Sequence, residues 1–315
     1  PRLQKISALV NPAKLIPTAI EFVDIAGLVA GASKGEGLGN RFLAHIREVD
    51  AIIHVVRAFN DDDITHVSGH VDPISDAGTI ETELALADLE TLERAIERTS
   101  KAAKTGDKKV LRELEILKTT HEALSNDTQI AALLTEDEVI HALKPLCLLT
   151  AKPVVYVANV AESELEGNEK VEALRQHAAE AAAQLVVVSA AIEQEISEID
   201  PNDRSSFLED LGLEESGLDK VIRAGYELLG LQTFFTAGPK EVRAWTVRRG
   251  ATAPQAAGEI HTDFERGFIR AETIAYDDFI DLKGEQGARE AGRLRLEGKE
   301  YVLSDGDIMH FRFNV

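Results

Sequence analysis

The sequence predicts an α/β protein in which a parallel sheet carries an inserted antiparallel helical hairpin and is followed by a small mixed β-grasp domain. Three patterns support this prediction: short β-branched runs between helical segments, apolar residues at alternating spacings of four and three, and strand-like alternation after residue 230. We therefore divide the 315 residues into a sheet domain (1–80 and 146–230), a helical coiled-coil arm (81–145) and a C-terminal domain (231–315).

The parallel sheet is predicted from four short strand-like segments with helical segments between them. The segments are residues 20–23, 51–56, 154–158 and 185–188. Short segments that are mostly apolar are typical of parallel strands that are covered on both faces.

The helical arm is predicted from two apolar seams of the coiled-coil type. The seam residues are Ala85, Leu89, Leu92, Ile96, Thr99 and Ala103 in the first helix, and Val110, Leu114, Leu117, His121 and Leu124 in the second. Between them, Thr105-Gly106-Asp107 interrupts the pattern and predicts a turn, so the two helices run antiparallel.

The C-terminal domain is predicted from five short strand-like segments and one helix. The strands are residues 233–235, 241–247, 268–274, 300–303 and 309–313, and the helix is 253–266. About 85 residues with this content favour a compact β-grasp arrangement.

The composition excludes several classes of protein. The net charge of −21 argues against nonspecific nucleic-acid binding, and residues 231–315 carry only a small part of it, with 12 Lys/Arg against 14 Asp/Glu. No apolar run approaches the roughly 18 residues of a membrane helix. The single Cys147 permits no internal disulfide, and its apolar neighbours predict a buried thiol. We therefore expect a cytoplasmic protein that binds neither membranes nor DNA, and we expect a monomer.

The segment that follows the first predicted strand carries the strongest functional signal. Asp24 stands at the strand tip, Gly27 follows three residues later, and five glycines occur between residues 27 and 39. A strand-tip carboxylate can hold a water on Mg²⁺, and a glycine amide can reach a terminal phosphate without a side chain in the way. This Asp-x-x-Gly arrangement is the nucleotide-sensing switch of GTPase-type proteins. The alternative is a glycine-rich surface turn with Asp24 as its cap.

The string from Asp24 to Asn40 resembles the switch II region of the YchF/Obg-like ATPase family of P-loop NTPases. The resemblance extends along the chain through Asn159-Val160-Ala161-Glu162 to the last eleven residues, which begin with Asp305-Gly306-Asp307. It implies a P-loop NTPase (G) domain of the Obg type and a C-terminal TGS domain.

One departure from the family is large. The 315 residues contain no Gly-x-x-x-x-Gly-Lys-Ser/Thr, the loop that cradles the β- and γ-phosphates. In the family this loop precedes the position where this sequence starts, and residue 1 is a proline. We therefore expect that the first strand and the P-loop are missing, and we assign the activity to the complete protein.

The resemblance implies roles at the phosphate end of the site. Asp24 would bind Mg²⁺ through water, and the Gly27 amide would contact the γ-phosphate. Leu28 occupies the position of the water-orienting glutamine of many GTPases, so hydrolysis must recruit another group. His66 lies at a loop position that carries a histidine in the family, and it is the candidate catalytic residue together with Gly27. The alternative for His66 is an ordinary exposed loop histidine.

The resemblance also implies roles at the base. Asn159-Val160-Ala161-Glu162 replaces the Asn-Lys-x-Asp of guanine-specific relatives, and Asn159, Val160 and Glu162 would border the base. Without the short aspartate the donors of guanine are unmatched, which favours ATP over GTP. Ser189 and Ala190 match the last nucleotide loop, and their amides would contact the base. The alternative is a pair of ordinary strand-to-helix turns.

The leading hypothesis is an Obg-like ATPase that binds ATP with Mg²⁺, with GTP as the weaker ligand, and hydrolyses it. As the resemblance implies, the protein would act as a nucleotide-dependent switch on the ribosome and its rRNA. Two alternatives remain open: a non-catalytic module that binds the ribosome or proteins, and a GTP-specific translation GTPase.

Overall fold

The computed structural model of the chain describes residues 1–25, 38–61, 63–66, 69–126, 128, 130–134 and 136–314. The chain forms two compact units. We call Val23–Leu228 the central unit, and Pro1–Phe22 together with Leu229–Val315 the C-terminal unit.

The strands of the described residues are β1 (Leu15–Ile16), β2 (Ile52–Arg57), β3 (Val154–Asn159), β4 (Gln184–Val188), β5 (Leu231–Ala237), β6 (Val242–Arg248), β7 (Phe268–Ile274), β8 (Arg295–Glu297) and β9 (Ile308–Phe313). The helices are α1 (Arg2–Val10), α2 (Leu38–Glu48), α3 (Pro73–Ala103), α4 (Lys108–Ser125), α5 (Asp137–Leu143), α6 (Glu169–Glu180), α7 (Ala190–Glu198), α8 (Arg204–Asp210), α9 (Gly217–Leu228), α10 (Ala253–Ile260), α11 (Thr262–Arg266), α12 (Tyr276–Asp281) and α13 (Glu285–Glu290). In this part of the chain no helix has both the length and the apolar character needed to span a bilayer.

The central unit contains a parallel sheet in the order β2, β3, β4. Ile52 pairs with Val154, and Val155 pairs with Gln184, so the three strands run in one direction and end at the same edge. The predicted parallel sheet is confirmed, together with three of its four predicted strands.

Helices cover both faces of this sheet. Val56, Tyr156 and Ala158 pack with α3 and α6, whereas Val155 and Val157 point to the opposite face and pack with α9. Successive side chains of a strand alternate between faces, so apolar residues at every position are what a doubly covered sheet requires.

The predicted strand at residues 20–23 is wrong. Residues 17–25 have no regular secondary structure, and Phe22 and Val23 are 48% and 50% exposed. A strand requires hydrogen bonds to a neighbouring strand, and none of the described strands of the central unit lies beside this segment. The apolar run is suited to a strand, but the described residues supply no partner for it.

The predicted helical hairpin is formed by α3 and α4, which pack along a seam containing the buried residues Leu92, Leu117 and Leu124. Its first helix is longer than predicted. The Asp72 side chain accepts hydrogen bonds from the amides of the first turn, so α3 begins at Pro73, and residue 81 lies inside the helix.

The C-terminal unit is built on a mixed sheet in the order β1, β6, β5, β9, β7, β8. Helices α10 and α11 cover one face around Phe234 and Phe311, and α1, α12 and α13 cover the other around Ile6 and Phe235. Because Ile6 is fully buried in this core, residues 1–22 fold with this unit, so the predicted place of these residues in the sheet domain is wrong.

Two further predictions for this unit need correction. Residues 300–303 form no strand and contribute only the isolated bridge between Val302 and Thr252. The predicted helix 253–266 is interrupted because His261 is extended, with φ −164°, and its side chain accepts a hydrogen bond from the Asp263 amide that starts α11. Helices α12 and α13 and strand β8 were not predicted.

Cys147 is exposed, although its apolar neighbours predicted burial. It follows a short 3₁₀ turn, Lys144–Leu146, and adopts a left-handed conformation with φ 46°. The next two residues, Leu148 and Leu149, take the buried positions instead.

Candidate functional site

The candidate site lies at the edge where the three parallel strands end. Arg57, Asn159 and Val188 are the last residues of β2, β3 and β4, and the register places Asn159 beside both of the others. In open parallel sheets, ligands bind outside the carboxyl ends of the strands. The loops that follow these three strands contain most of the site residues predicted from the sequence.

Asn159 joins two of these loops. Its Oδ1 atom accepts a hydrogen bond of 3.0 Å from the Ala190 amide, and the amide of Val160 donates to the Val188 carbonyl at 2.9 Å. The structure therefore brings together the predicted residues Asn159, Val160, Ser189 and Ala190.

Val160 lies at the start of the loop after β3 and is only 2% exposed. Its side chain packs with Val171 and Leu174 of α6, and its expected place beside the base stays a prediction. The apolar residue at this position anchors the loop to the core.

Glu162 is exposed and begins a short 3₁₀ turn, Glu162–Glu164. Its carboxylate makes no ion pair or side-chain hydrogen bond with another described residue. The two oxygen atoms are therefore free to accept hydrogen bonds from a ligand.

Ser189 is 1% exposed, and its Oγ atom has no hydrogen-bond partner in the described part of the chain. It precedes α7 but makes no side-chain cap. A buried hydroxyl without a partner costs about 1–3 kcal/mol. A polar ligand atom at this position would remove that cost.

His66 lies in the loop after β2. Its Nε2 atom is 3.0 Å from Oδ2 of Asp76, which lies in the first turn of α3, and its side chain is 16% exposed. Arg57 organises the same loop, because its guanidinium donates to the carbonyls of Phe59, Asp61 and Ile64. The carboxylate orients the imidazole, as an acid–base histidine requires.

Asp76 was missed by the sequence analysis. The pattern Asp72-Pro73 is a helix-start signal, and an acidic residue in the following first turn is favoured by the helix dipole. That signal places Asp76 at a helix terminus, but the pairing with His66 depends on how the intervening loop folds.

Asp24 is exposed and makes no hydrogen bond with a described residue, whereas the adjacent Ile25 packs against a cluster that includes Leu43 and Leu84. A free carboxylate fits Mg²⁺, which is usually held by one or two protein carboxylates with waters and phosphates. No group of three or more His, Cys, Asp or Glu side chains arranged for a metal occurs among the described residues. Gly27, Leu28 and Lys34 lie outside the described residues.

A cluster of four polar side chains lies against the sheet away from the strand ends. Glu81 of α3 accepts a hydrogen bond from the Tyr156 hydroxyl and lies 2.8 Å from Nε2 of His177, while the His54 ring packs on Tyr156. Burial lowers the pKa of His54 below its ordinary value, and the Glu81 carboxylate opposes this shift. Burial, and then Glu81, raise the pKa of Tyr156.

Two family models match the chain. One, described as "50S ribosome-binding GTPase", matches residues 6–87. The other, YchF-GTPase_C, is described as a protein of unknown function and matches residues 231–314.

Curated relatives match along the whole chain. The proteins called ribosome-binding ATPase YchF from Haemophilus ducreyi, Bacillus subtilis and Escherichia coli O157:H7 are 60%, 58% and 56% identical to it. Each alignment covers 100% of this chain and 87% of the relative.

Solved structures match as well. The YchF GTPase of Schizosaccharomyces pombe has a TM-score of 0.87 and 37% identity over 99% of this chain and 85% of that one. A GTP-binding protein from Pyrococcus horikoshii OT3 has a TM-score of 0.56 at 21% identity, over 87% of this chain and 81% of that one, and it shares the fold.

Proposed function

The chain belongs to the YchF family, and from this premise we propose that it is a ribosome-binding ATPase with its nucleotide site at the carboxyl edge of the central sheet. The observation that carries this proposal is the meeting of the Asn159 and Ser189–Ala190 loops at that edge, where Asn159 Oδ1 holds the Ala190 amide. The identity of 56–60% to proteins called ribosome-binding ATPases supports it independently.

The base end of the site is formed by Asn159, Glu162, Ser189 and Ala190. Adenine offers an exocyclic amino donor and ring-nitrogen acceptors, and the free Glu162 carboxylate and the buried Ser189 hydroxyl are suited to such groups. The longer side chain of Glu162 cannot take the place of the short aspartate that pairs with guanine. ATP is therefore the preferred ligand, and GTP is the weaker one.

The phosphate end involves Asp24, Gly27 and His66. Asp24 would hold Mg²⁺ through a water, and the Gly27 amide would contact the γ-phosphate. Bound Mg²⁺ neutralises charge on the phosphate oxygens. His66, oriented by Asp76, accepts the proton of the water that attacks the γ-phosphorus. The 315 residues contain no Gly-x-x-x-x-Gly-Lys-Ser/Thr loop, so these roles concern Mg²⁺, the γ-phosphate contact of Gly27 and the attacking water, and not the cradle that such a loop forms around the β- and γ-phosphates.

The remaining parts of the chain report the nucleotide state to the ribosome. We assign the C-terminal unit to the TGS type and the α3–α4 hairpin to partner contact. The protein acts as a monomer in the cytoplasm, where the ribosome is its partner.

Nucleotide titration tests the proposal. We expect ATP to bind more tightly than GTP, and Glu162→Asp to shift the preference towards GTP by about tenfold, because the shorter carboxylate suits the guanine donors. Glu166→Gln is the matched control, since Glu166 is a nearby exposed carboxylate outside the site. Val160→Lys is unsuitable because it would place a charge in the core.

The proposal fails if the complete protein binds neither nucleotide while it still sediments with ribosomes, because that result identifies a non-catalytic binding module. A preference for GTP in the unmodified chain would identify a GTP-specific switch instead.

A further inference from the structure

The first turn of α7 is tied to the start of α9. Glu193 Oε1 accepts a hydrogen bond of 2.6 Å from the Gly217 amide, and Oε2 accepts one of 3.0 Å from the Leu218 amide. The first amides of a helix have no partner within the helix, and a carboxylate satisfies them while matching the helix dipole. Both oxygens of Glu193 are therefore used to join the two helices.

Gly217 makes this contact possible. A Cβ atom on Gly217 would lie 2.6 Å from Val188 Cγ1 and 2.9 Å from Glu193 Oε1, distances that real side chains do not adopt. Val188 directly precedes Ser189, and Glu193 lies four residues after Ser189. The start of α9 therefore holds the chain on both sides of Ser189.

On its opposite side the same loop is held by Asn159, whose Oδ1 atom accepts a hydrogen bond from the Ala190 amide. Ser189 and Ala190 are thus fixed between the end of β3 and the start of α9, and the buried Ser189 hydroxyl has no partner among the described residues. Fixing a loop before a ligand arrives lowers the entropic cost of binding.

We propose that Glu193, seated against Gly217, is a positioning residue for base recognition: it holds Ser189 and Ala190 in the geometry that receives the adenine. Glu193 acts through the loop and does not touch the ligand. This inference rests on the proposed function, because it assumes that the loop binds a base.

The test compares Glu193→Gln with Glu195→Gln in the complete protein. A glutamine at position 193 would present an amino group to one of the two helix amides, so one hydrogen bond is lost. Glu195 is exposed on the same helix and provides the matched control. We expect the Glu193 variant to bind ATP about tenfold more weakly, with faster amide exchange at residues 189–192. Gly217→Ala should have the same effects.

The inference is overturned if Glu193→Gln matches the control in both ATP affinity and exchange. It is also overturned if exchange accelerates equally throughout the central unit, because that result indicates general destabilisation. Unmodified protein that binds no ATP would overturn the proposed function instead, and local exchange at residues 189–192 would then decide alone whether Glu193 holds the loop.

Discussion

His66 and Asp76 form the pair on which the proposed hydrolysis depends. A general base contributes about 100-fold or more to the rate, so we expect His66→Ala to lower kcat by at least that factor with ATP affinity nearly unchanged. Asp76→Asn should cause a smaller loss, since the imidazole keeps a hydrogen-bond partner at position 76 and therefore keeps most of its orientation.

Steady-state phosphate release measures both effects. His70→Ala is the control, because His70 lies in the same loop and is exposed. Equal rates for the His66 and His70 variants would assign proton transfer to another group.

His54 makes the central unit sensitive to acid. Burial lowers the pKa of His54 from its ordinary 6.5, so the unfolded chain binds a proton more readily than the folded one as the pH falls. The stability that depends on neutral His54 is present above pH 6.5 and is lost as the pH falls below it. Glu81 opposes this loss and His177 adds to it.

We therefore expect a lower Tm at about pH 5.5 than at about pH 7.5. The decrease in Tm between these two pH values should be smaller in His54→Gln than in His70→Gln, the control at an exposed site. Thermal unfolding at the two pH values measures this difference. The role assigned to His54 is wrong if both variants lose the same number of degrees.

Single residues also show where sequence reasoning stops. The types of Asn159, Glu162 and Ser189 and their places at or after strand ends are visible in the sequence. The structure places Asn159 as the last residue of β3, Glu162 in the loop after β3, and Ser189 directly after β4. The contact of Glu193 with the start of α9 is not visible, because an acidic residue in the first turn of a short helix is common, and its two partner amides lie 24 and 25 residues away.

Secondary-structure elements were predictable where local pattern alone determines them. Strands β2, β3 and β4 are rich in β-branched residues, and the central strand β3 is buried on both faces. The segment at residues 20–23 contains Ile20, Phe22 and Val23 but forms no strand, because pairing depends on a neighbouring strand. The start of α3 was predicted too late because the seam was counted from Ala85, although the Asp72-Pro73 cap signals an earlier start.

A buried polar link joins α2, α3 and the segment after α5. Asp88 of α3 is fully buried and accepts hydrogen bonds from the amides of Leu149 and Thr150 and from the Thr150 hydroxyl. Arg47 of α2 lies 3.8 Å from Asp88 and donates to the Cys147 carbonyl. Helix α2, which follows the glycine-rich segment in the sequence, is therefore linked to α3, the first helix of the hairpin.

We expect Asp88→Ala to lower the free energy of unfolding by about 3 kcal/mol, because one buried and one partly buried amide lose their acceptor and the Arg47 guanidinium loses its nearby negative charge. Urea denaturation measures this change. The matched control is Glu90→Ala, which removes an exposed pair with Arg94 on the same helix and should cost less than about 0.5 kcal/mol. Similar losses for the two variants would show that the link does not stabilise the unit.

On the scale of the whole molecule, the two units differ sharply in charge. The C-terminal unit carries 15 Lys/Arg and 15 Asp/Glu, so the central unit, with 19 against 40, carries the entire net charge of −21. Ribosomal RNA is a polyanion, and phosphate contact by the central unit is electrostatically unfavourable. The neutral unit is the better candidate for RNA contact.

Arg270 on the C-terminal unit is suited to such a contact. It is exposed, it lies directly across from Arg312 on the neighbouring strand, and it makes no ion pair with another described residue. Like charges in opposite positions destabilise a sheet, and a phosphate between them would remove the repulsion. Arg312 has Glu272 at 3.4 Å, which leaves Arg270 as the freer cation.

We therefore expect Arg270→Gln to weaken binding of the full chain to ribosomes and to reduce the slope of log affinity against log salt by about one. Co-sedimentation at several salt concentrations measures both quantities. Lys108→Gln removes one exposed positive charge from the hairpin of the acidic central unit, and its salt slope should match that of the unmodified chain. If the slope of log affinity against log salt is reduced in the Lys108 variant and unchanged in the Arg270 variant, the central unit makes the RNA contact despite its negative charge.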